Sequence, residues 1–396
     1  MSRPEVADVI HRYGSDFSRL YGESASVEQQ RALRDISRCR TAALGGHKQE
    51  CDNCGHEVIS YNSCRNRHCP KCQAGATATW LDKQTAHLLD VEYFHLVFTL
   101  PHQIGPIALQ NKRAIYGMLF SAAAETLSTI AKDPKHLGAQ IGFLAVLHTW
   151  GQNLFHHPHV HCVVPGGGIS PDGSHWISCR KGFFLPVRVL SRLFRTRFLK
   201  RLAKAYDHGE LRFSASLLEF QNPDAWKKFV GSLRRTEWVV YAKPPFGGPK
   251  QVLKYLARYT HRIAISNKRI IDVADGKVSF SWKDYSQAGR SRLMTLDGPE
   301  FIRRFLLHVL PKGFVRIRHY GFLANRVRAE KTEIARELIA KQSDVPPEEV
   351  THEANDDDGA GDNLEGMTCP KCKTGRLLVT EVIPASSSDV EFDDTS

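Results

Sequence analysis

The sequence predicts an α+β protein: an antiparallel sheet with helices packed on it, preceded by a metal-organised region and followed by an acidic disordered tail. Three observations carry that expectation. Continuous apolar runs, YFHLVFTLP (93–101), IGFLAVLHTW (141–150) and PHVHCVVP (158–165), read as buried strands separated by turns and helical patterns. Residues 47–72 are dense in Cys, His, Gly and Asn. From Ser343 to the end, acidic residues outnumber basic ones 14 to 3, which leaves residues 1–342 at +23 although the chain of 396 residues carries only +12.

Taken in order, residues 1 to about 45 read as helical, with apolar and small residues of VEQQRALRDI on one face and charges on the other. After the cysteine-rich stretch, residues 74–90 read as a helix leading into the next domain. The strand at 93–101 ends at Pro101, and the Ala-rich stretch 112–131 has helical period. Strands 141–150 and 158–165 form a hairpin around a polar loop between Gly151 and His157. VLSRLFRTRFLKRLAKAY (189–206) is a basic amphipathic helix, and EWVVYAKPP (237–245) a strand. PKQVLKYLARYTHRI (249–263) begins with Pro, as helices often do. RIIDVADGKVSFSWKDY (269–285) carries the Asp-Gly signal of a tight hairpin. A helix at 299–311 and a strand at 314–322 close the folded body. Residues 343–366 hold nine acids, no Lys or Arg and few apolar side chains, a composition that cannot build a core. The domain boundaries expected from these shifts are 1–85, 86–330 and 331–396, the last comprising a helical end, the acidic linker and a terminal CxxC patch.

A basic body with an acidic tail suits a polyanion-binding protein. No apolar run reads as a bilayer span, and the start, MSRPEVADVI, has no apolar signal core. The expected setting is intracellular, without a membrane partner. In that setting ten cysteines, six of them in CxxC pairs, point to metal rather than disulfides.

Cys51, Cys54, Cys69 and Cys72 make C-x2-C-x14-C-x2-C. Two CxxC turns can complete a tetrahedral shell, so these four are the expected ligands of a closed structural Zn2+ site. Cys64 and His68 lie inside the loop, and Cys39 and His47 just before it. They could form a second site, or His68 could replace a cysteine in the first. Arg65, Asn66, Arg67 and Lys71 surround the cluster and could face phosphates. Cys369 and Cys372 form a CxxC with no second pair nearby, either half of a ribbon, a borrower of distant ligands or a remnant.

HPHVHCVV sets His159 and His161 two apart in an apolar strand, so both imidazoles leave one sheet face. They are the expected ligands of a catalytic divalent cation. The third is His148 from the preceding strand, favoured over Gln152 in the loop because imidazole ligates better. Three neutral ligands leave positions open for water and phosphate oxygens. Imidazole suits Mn, Co or Zn, whereas phosphoryl chemistry commonly uses Mg2+ or Mn2+.

KYLARYTHR places Tyr255 and Tyr259 at i and i+4, on one helical face beside Lys254, Arg258, His261 and Arg262. Such a pair alone is an ordinary core stripe. Together with a candidate metal site and a basic body it fits reversible DNA cleavage, in which a phenolate attacks a phosphate and the phosphotyrosine ester keeps the bond energy for rejoining.

These motifs resemble a known family. HPHVH matches the His-hydrophobic-His motif of HUH single-strand endonucleases, and Tyr255 with Tyr259 matches their two-tyrosine subclass. CDNCGHEVISYNSCRNRHCPKC and RIRHYGFLANR resemble the rolling-circle transposases of the insertion-sequence-91 family, over about residues 10–330. The resemblance implies an HUH-like antiparallel sheet with the His pair on a central strand, and a tyrosine helix lying over it. It implies Tyr255 and Tyr259 as nucleophiles, His159 and His161 as cation ligands, and a zinc domain (1–85) that helps recognise the element's ends. The implied reaction is nicking and rejoining of single-stranded DNA at element ends and target through a 5′-phosphotyrosine link, with displacement by host replication. No GxxxxGK[ST] loop is present, so a helicase would come from the host. A bacterial, nucleoid-associated, cytoplasmic setting follows from the same resemblance. A plasmid replication initiator or mobilisation relaxase would share the chemistry. A non-enzymatic zinc DNA-binding protein leaves the His strand unexplained, and a zinc hydrolase leaves the tyrosines unexplained and lacks a glutamate beside the His pair.

Overall fold

A computed structural model describes residues 3–73, 80, 84–182, 184–246, 252, 264–284, 287, 289–342 and 366–386. Its centre is a five-stranded sheet in the order β12-β4-β5-β3-β8, antiparallel throughout. The strands are β3 (Tyr93–Thr99), β4 (Gly142–Trp150), β5 (His156–Pro165), β8 (Val240–Phe246) and β12 (Ile317–Gly321). The expected α+β architecture and the hairpin of β4 and β5 are therefore present, with β5 in the middle of the sheet.

Alternation sorts the side chains of these strands onto two faces. Phe94, Leu96 and Phe98 of β3, Phe143, Ala145 and Leu147 of β4, and Val160, Cys162 and Val164 of β5 all enter the main core. Helix α4 (Lys112–Lys132) fills it with Ile115, Leu119, Phe120 and Leu127, all fully buried. That helix is long and apolar enough to pass for a membrane span, and its place beneath the sheet accounts for its composition. Helix α5 (Val187–Asp207) adds Leu190, Phe194, Phe198 and Leu202, while its Arg197 and Arg201 both pair with Glu125 of α4. The opposite face of β3, β4 and β5 carries the histidines.

A second core joins distant parts of the chain. Helices α1 (Val6–Tyr21) and α2 (Val27–Arg38) pack with α7 (Gly298–Leu307) and with the sheet of β9 (Ile270–Ala274), β10 (Lys277–Asp284) and β11 (Arg290–Asp297). Its buried members include Val9, Ile10, Phe17, Leu33, Ile36, Phe280, Phe301 and Phe305. Local signals start these elements. Ser26 and Gln29 form a reciprocal capping box at the start of α2. Asp275 and Gly276 both take positive φ (49° and 74°), the conformation that the tight turn between β9 and β10 requires.

A third, small sheet has the order β13-β1-β2, built from β1 (Gly46–Cys51), β2 (Glu57–Tyr61) and β13 (Leu377–Ile383). The sequence gives no strand signal as clear here as in the main sheet, because β1 and β2 are short and polar. Most of the stretch 74–90, and the segment with Tyr255 and Tyr259, lie outside the described residues, as does the acidic stretch 343–365.

Candidate metal centres and the family of the chain

The histidine cluster follows from strand register. His148 of β4 pairs directly with His159 of β5, and Val146 pairs with His161, so all three imidazoles share one face. Their ligand atoms lie within 4.8 Å of one another. His148 and His161 are buried and His159 is half-buried. Gln152, the other candidate third ligand, sits in the turn beyond β4, where its backbone carbonyl accepts a bond from Arg269.

Each ring of the pair is oriented by a second hydrogen bond. His159 Nδ1 donates to the His157 carbonyl at 2.6 Å, which directs Nε2 outward. His161 Nδ1 lies 2.7 Å from Nε2 of His95, a buried residue of β3 stacked parallel to it. His95 was not singled out by the sequence, although its parity in YFHLVF puts it on the histidine face. Burial, with His157 adding a little, holds His159 down to about 4, and burial together with His148, His159 and His95 holds His161 well below the usual range. Neutral imidazoles are the form in which histidine ligates a cation. Trp150 stacks on His148 with centroids 4.7 Å apart and closes one side of the cluster.

Val252 is fully buried against Tyr93, Leu144, Val146 and Val163, the histidine face of the sheet, and it precedes Tyr255 by three residues.

The cysteines depart from the expected grouping. Cys51, Cys54, Cys69 and Cys72 do not share one site. Cys69 and Cys72 join Cys39 and Cys64, with Cys72 Sγ 3.5 Å from Cys39 Sγ and 3.6 Å from Cys64 Sγ. Cys51 and Cys54 instead face Cys369 and Cys372. A CxxC turn fixes that its two thiols act together but not which other pair they meet, and strand pairing of β1 with β13 decides that here. Cys64 is thus a member of the first cluster, whereas His68 is not. His68 Nε2 accepts the Leu310 backbone N–H at 3.3 Å, and burial keeps the ring neutral. His47 lies in β1 and belongs to neither cluster.

The basic residues around the first cluster are mostly committed to the fold. Arg67 donates to the carbonyls of Phe314, Leu310 and Pro311. Asn66 bonds Asp35 at 2.8 Å, and Lys71 pairs with Glu5 at 2.7 Å. Of the four residues considered for phosphate contacts, only Arg65 is exposed. Of the four residues that could have faced phosphates, Asn66 and Lys71 instead tie the cysteine module to α2 and to the start of α1, and Arg67 ties it to the 310–314 segment.

Comparison with known proteins gives the family of the chain. A family model described as "Transposase zinc-binding domain" matches residues 9–100, and one described as "Putative transposase" matches residues 142–331. The first spans all six N-terminal cysteines, Cys39, Cys51, Cys54, Cys64, Cys69 and Cys72, and together with the cysteine clusters it supports structural zinc in this part of the chain; the class of the chain is a transposase. Two curated relatives place it further. It is 54% identical over 398 residues to "Putative transposase y4qJ" of Sinorhizobium fredii, across 100% of this chain and 99% of that protein. It is 30% identical over 316 residues to "Transposase for insertion sequence element IS801" of Pseudomonas savastanoi pv. phaseolicola, across 76% of this chain and 74% of that one. The chain belongs to the IS91/IS801 family of transposases. No solved structure matches it.

Proposed function

We propose that this transposase cuts and rejoins single-stranded DNA through Tyr255 and Tyr259, assisted by a divalent cation held on His148, His159 and His161. The observation that carries the proposal is the convergence of three imidazoles on the central strands of an antiparallel sheet. Imidazole ligates as a neutral donor, and among the described residues no carboxylate belongs to the cluster. A site of that kind leaves the cation most of its charge and several open positions, which suits phosphate oxygens. The reading accords with Mg2+ or Mn2+ as the working metal. Bound there, the cation would polarise the scissile phosphate and offset charge in the transition state.

The chain's own residues supply the remaining parts. A tyrosine oxygen attacks phosphorus, its proton passing to solvent, and the bond from phosphorus to the 3′ oxygen breaks. That oxygen leaves as a 3′-hydroxyl, and the 5′-phosphate stays on the tyrosine. The reverse reaction with another 3′-hydroxyl rejoins the strands, so two tyrosines permit two linked cleavages. Val252 supports this assignment, because it is buried on the histidine face and lies three residues before Tyr255 in the sequence. His95 acts as a positioning residue: its bond to His161 Nδ1 leaves Nε2 for the cation and fixes the ring. The +23 body attracts the DNA backbone. Displacement of the cut strand by host replication completes a rolling-circle cycle.

The test is incubation of the protein with labelled single-stranded oligonucleotides from the ends of its element, with Mg2+ or Mn2+, on a denaturing gel. A covalent protein–DNA band is expected, lost with EDTA and in the Tyr255→Phe, Tyr259→Phe double variant. Tight binding with no covalent band on any end sequence would overturn the proposal.

A further inference from the structure

We propose that Cys51, Cys54, Cys369 and Cys372 hold a second structural zinc, which fastens the chain's C-terminal segment to its N-terminal module. The four sulfurs lie within 4.8 Å of one another. Cys51 and Cys372 are 3.6 Å apart, and Cys54 and Cys369 3.7 Å. A tetrahedron of sulfurs about zinc, with bonds of about 2.3 Å, has edges of about 3.8 Å. Disulfides would need about 2.05 Å, and all four thiols are free. The spacing is therefore that of a shared ion. Four thiolates also select zinc over magnesium or manganese.

The two turns are built alike. In the first, the Gly55 N–H bonds the Cys51 carbonyl and Gly55 takes φ of 66°. In the second, the Lys373 N–H bonds the Cys369 carbonyl and Lys373 takes φ of 58°. Each chain thus curls back directly after its second cysteine. Gly375 N–H then points at Cys372 Sγ, 3.3 Å away, as donors around a metal-bound thiolate do. A Cβ at Gly375 would meet Cys51 Sγ at 2.5 Å, so the site requires glycine there. The turns are further stitched by Asp52, whose N–H reaches the Arg376 carbonyl and whose carboxylate accepts the Arg376 N–H at 2.8 Å.

The sheet around this site cannot be held by apolar burial. The core it shares consists of Cys51, Cys369 and Leu377, with Val58 and Cys372 partly buried against it. Two of the three buried side chains are thiols themselves. Units with so little core depend on a metal or a crosslink. The pairing of β13 with β1 also joins segments more than 300 residues apart in sequence, and the metal offsets the entropy of closing that loop. The acidic stretch 343–365 is thereby anchored at both ends: at Gln342, whose side chain donates to the Trp176 carbonyl, and at Gly366, whose N–H bonds Leu377. This inference is independent of the nuclease reading.

The first test is metal content. Zinc per chain, measured by plasma mass spectrometry after dialysis, should fall by one equivalent in the Cys369→Ser, Cys372→Ser double variant relative to the unaltered chain. Unchanged zinc, or iron in place of zinc, would overturn the proposal. A second test keeps all the cysteines. A specific protease site is inserted between Gly359 and Ala360, and the full-length protein is cut there. Gel filtration should keep the C-terminal fragment with the body, and a zinc chelator should release it. Separation on cutting alone, or retention after zinc has been stripped, would overturn the clasp.

Discussion

The histidine cluster and the cysteine clusters are both sets of side chains able to ligate a metal, but the fold bears on them in different ways. The histidines stand on continuous, fully paired strands whose other face is packed against Phe120, Phe194 and Phe198. Their positions are fixed by a core that exists with or without a cation. Of the cysteines, Cys39, Cys64, Cys69 and Cys72 lie against the second core, whereas Cys51, Cys54, Cys369 and Cys372 stand at strand ends and turns with few apolar neighbours and join segments that have little else to hold them. The fold holds the histidine site, whereas the small sheet of β13, β1 and β2 has little but its cysteines to hold it. An ion held by preformed neutral ligands with open positions can exchange and take substrate; one closed in by four thiolates can only be structural.

The largest effect expected from this contrast is on stability. Cys39→Ser or Cys72→Ser should release the zinc-binding module, seen as loss of one zinc equivalent and exposure of α1 and α2 to proteolysis. The cost should be on the order of several kcal/mol, because binding free energy at such sites is folding free energy. His159→Ala with His161→Ala should do the reverse: cleavage falls below detection while the melting temperature changes by no more than a few degrees. A large loss of stability in the histidine variant would break the comparison.

Next in size is the loss of stability with acid. His308 is buried, with Nδ1 near Thr149 and Nε2 on the Leu154 carbonyl, and burial pushes it down to about 3. His156, bonded to Tyr116, is pushed down to about 3 as well, again chiefly by burial. Both bind a proton in the unfolded chain below its ordinary value near 6.5 but not in the folded chain until about pH 3. Stability is therefore greatest above about pH 6.5 and falls as pH drops toward 3, by about 1.4 kcal/mol per pH unit for each such histidine. Urea midpoints between pH 7 and 4 check this, and His308→Gln should flatten the curve if the variant folds.

A smaller effect sharpens the histidine site. His95→Gln should weaken Mn2+ binding about 10–100-fold, the usual range for a residue that orients a metal ligand. Calorimetric titration measures it directly. His95→Phe, which fills the space without a hydrogen bond, should be weaker still. Equal affinities for the Gln and Phe variants would reduce His95 to packing.

The two kinds of site also differ in how far the sequence disclosed them. Strand parity is local, so His159 and His161 were legible from two residues of spacing, and His148 from the hairpin. His95 followed the same rule but sat in a strand with no motif around it. The cysteine partners were not legible. Cys51 and Cys54 look toward Cys69 and Cys72 in sequence, yet β1 pairs with β13, and nothing near residue 51 encodes a strand beyond residue 376. Likewise Arg67 reads as a phosphate ligand until the carbonyls of residues 310–314 arrive to meet it. The main sheet was readable because its runs are long and apolar, whereas β1 and β2 are short and polar and their pairing with β13 joins segments far apart in sequence.

The central claim is most directly tested by mapping the covalent product. After reaction with an end oligonucleotide and Mn2+, the protein is digested with protease and nuclease, and peptide mass spectrometry locates the residual nucleotide. The account predicts a nucleotide 5′-phosphate on Tyr255 or Tyr259, absent from the His159→Ala, His161→Ala variant. A nucleotide on any other residue, or cleavage with no modified peptide, would contradict it.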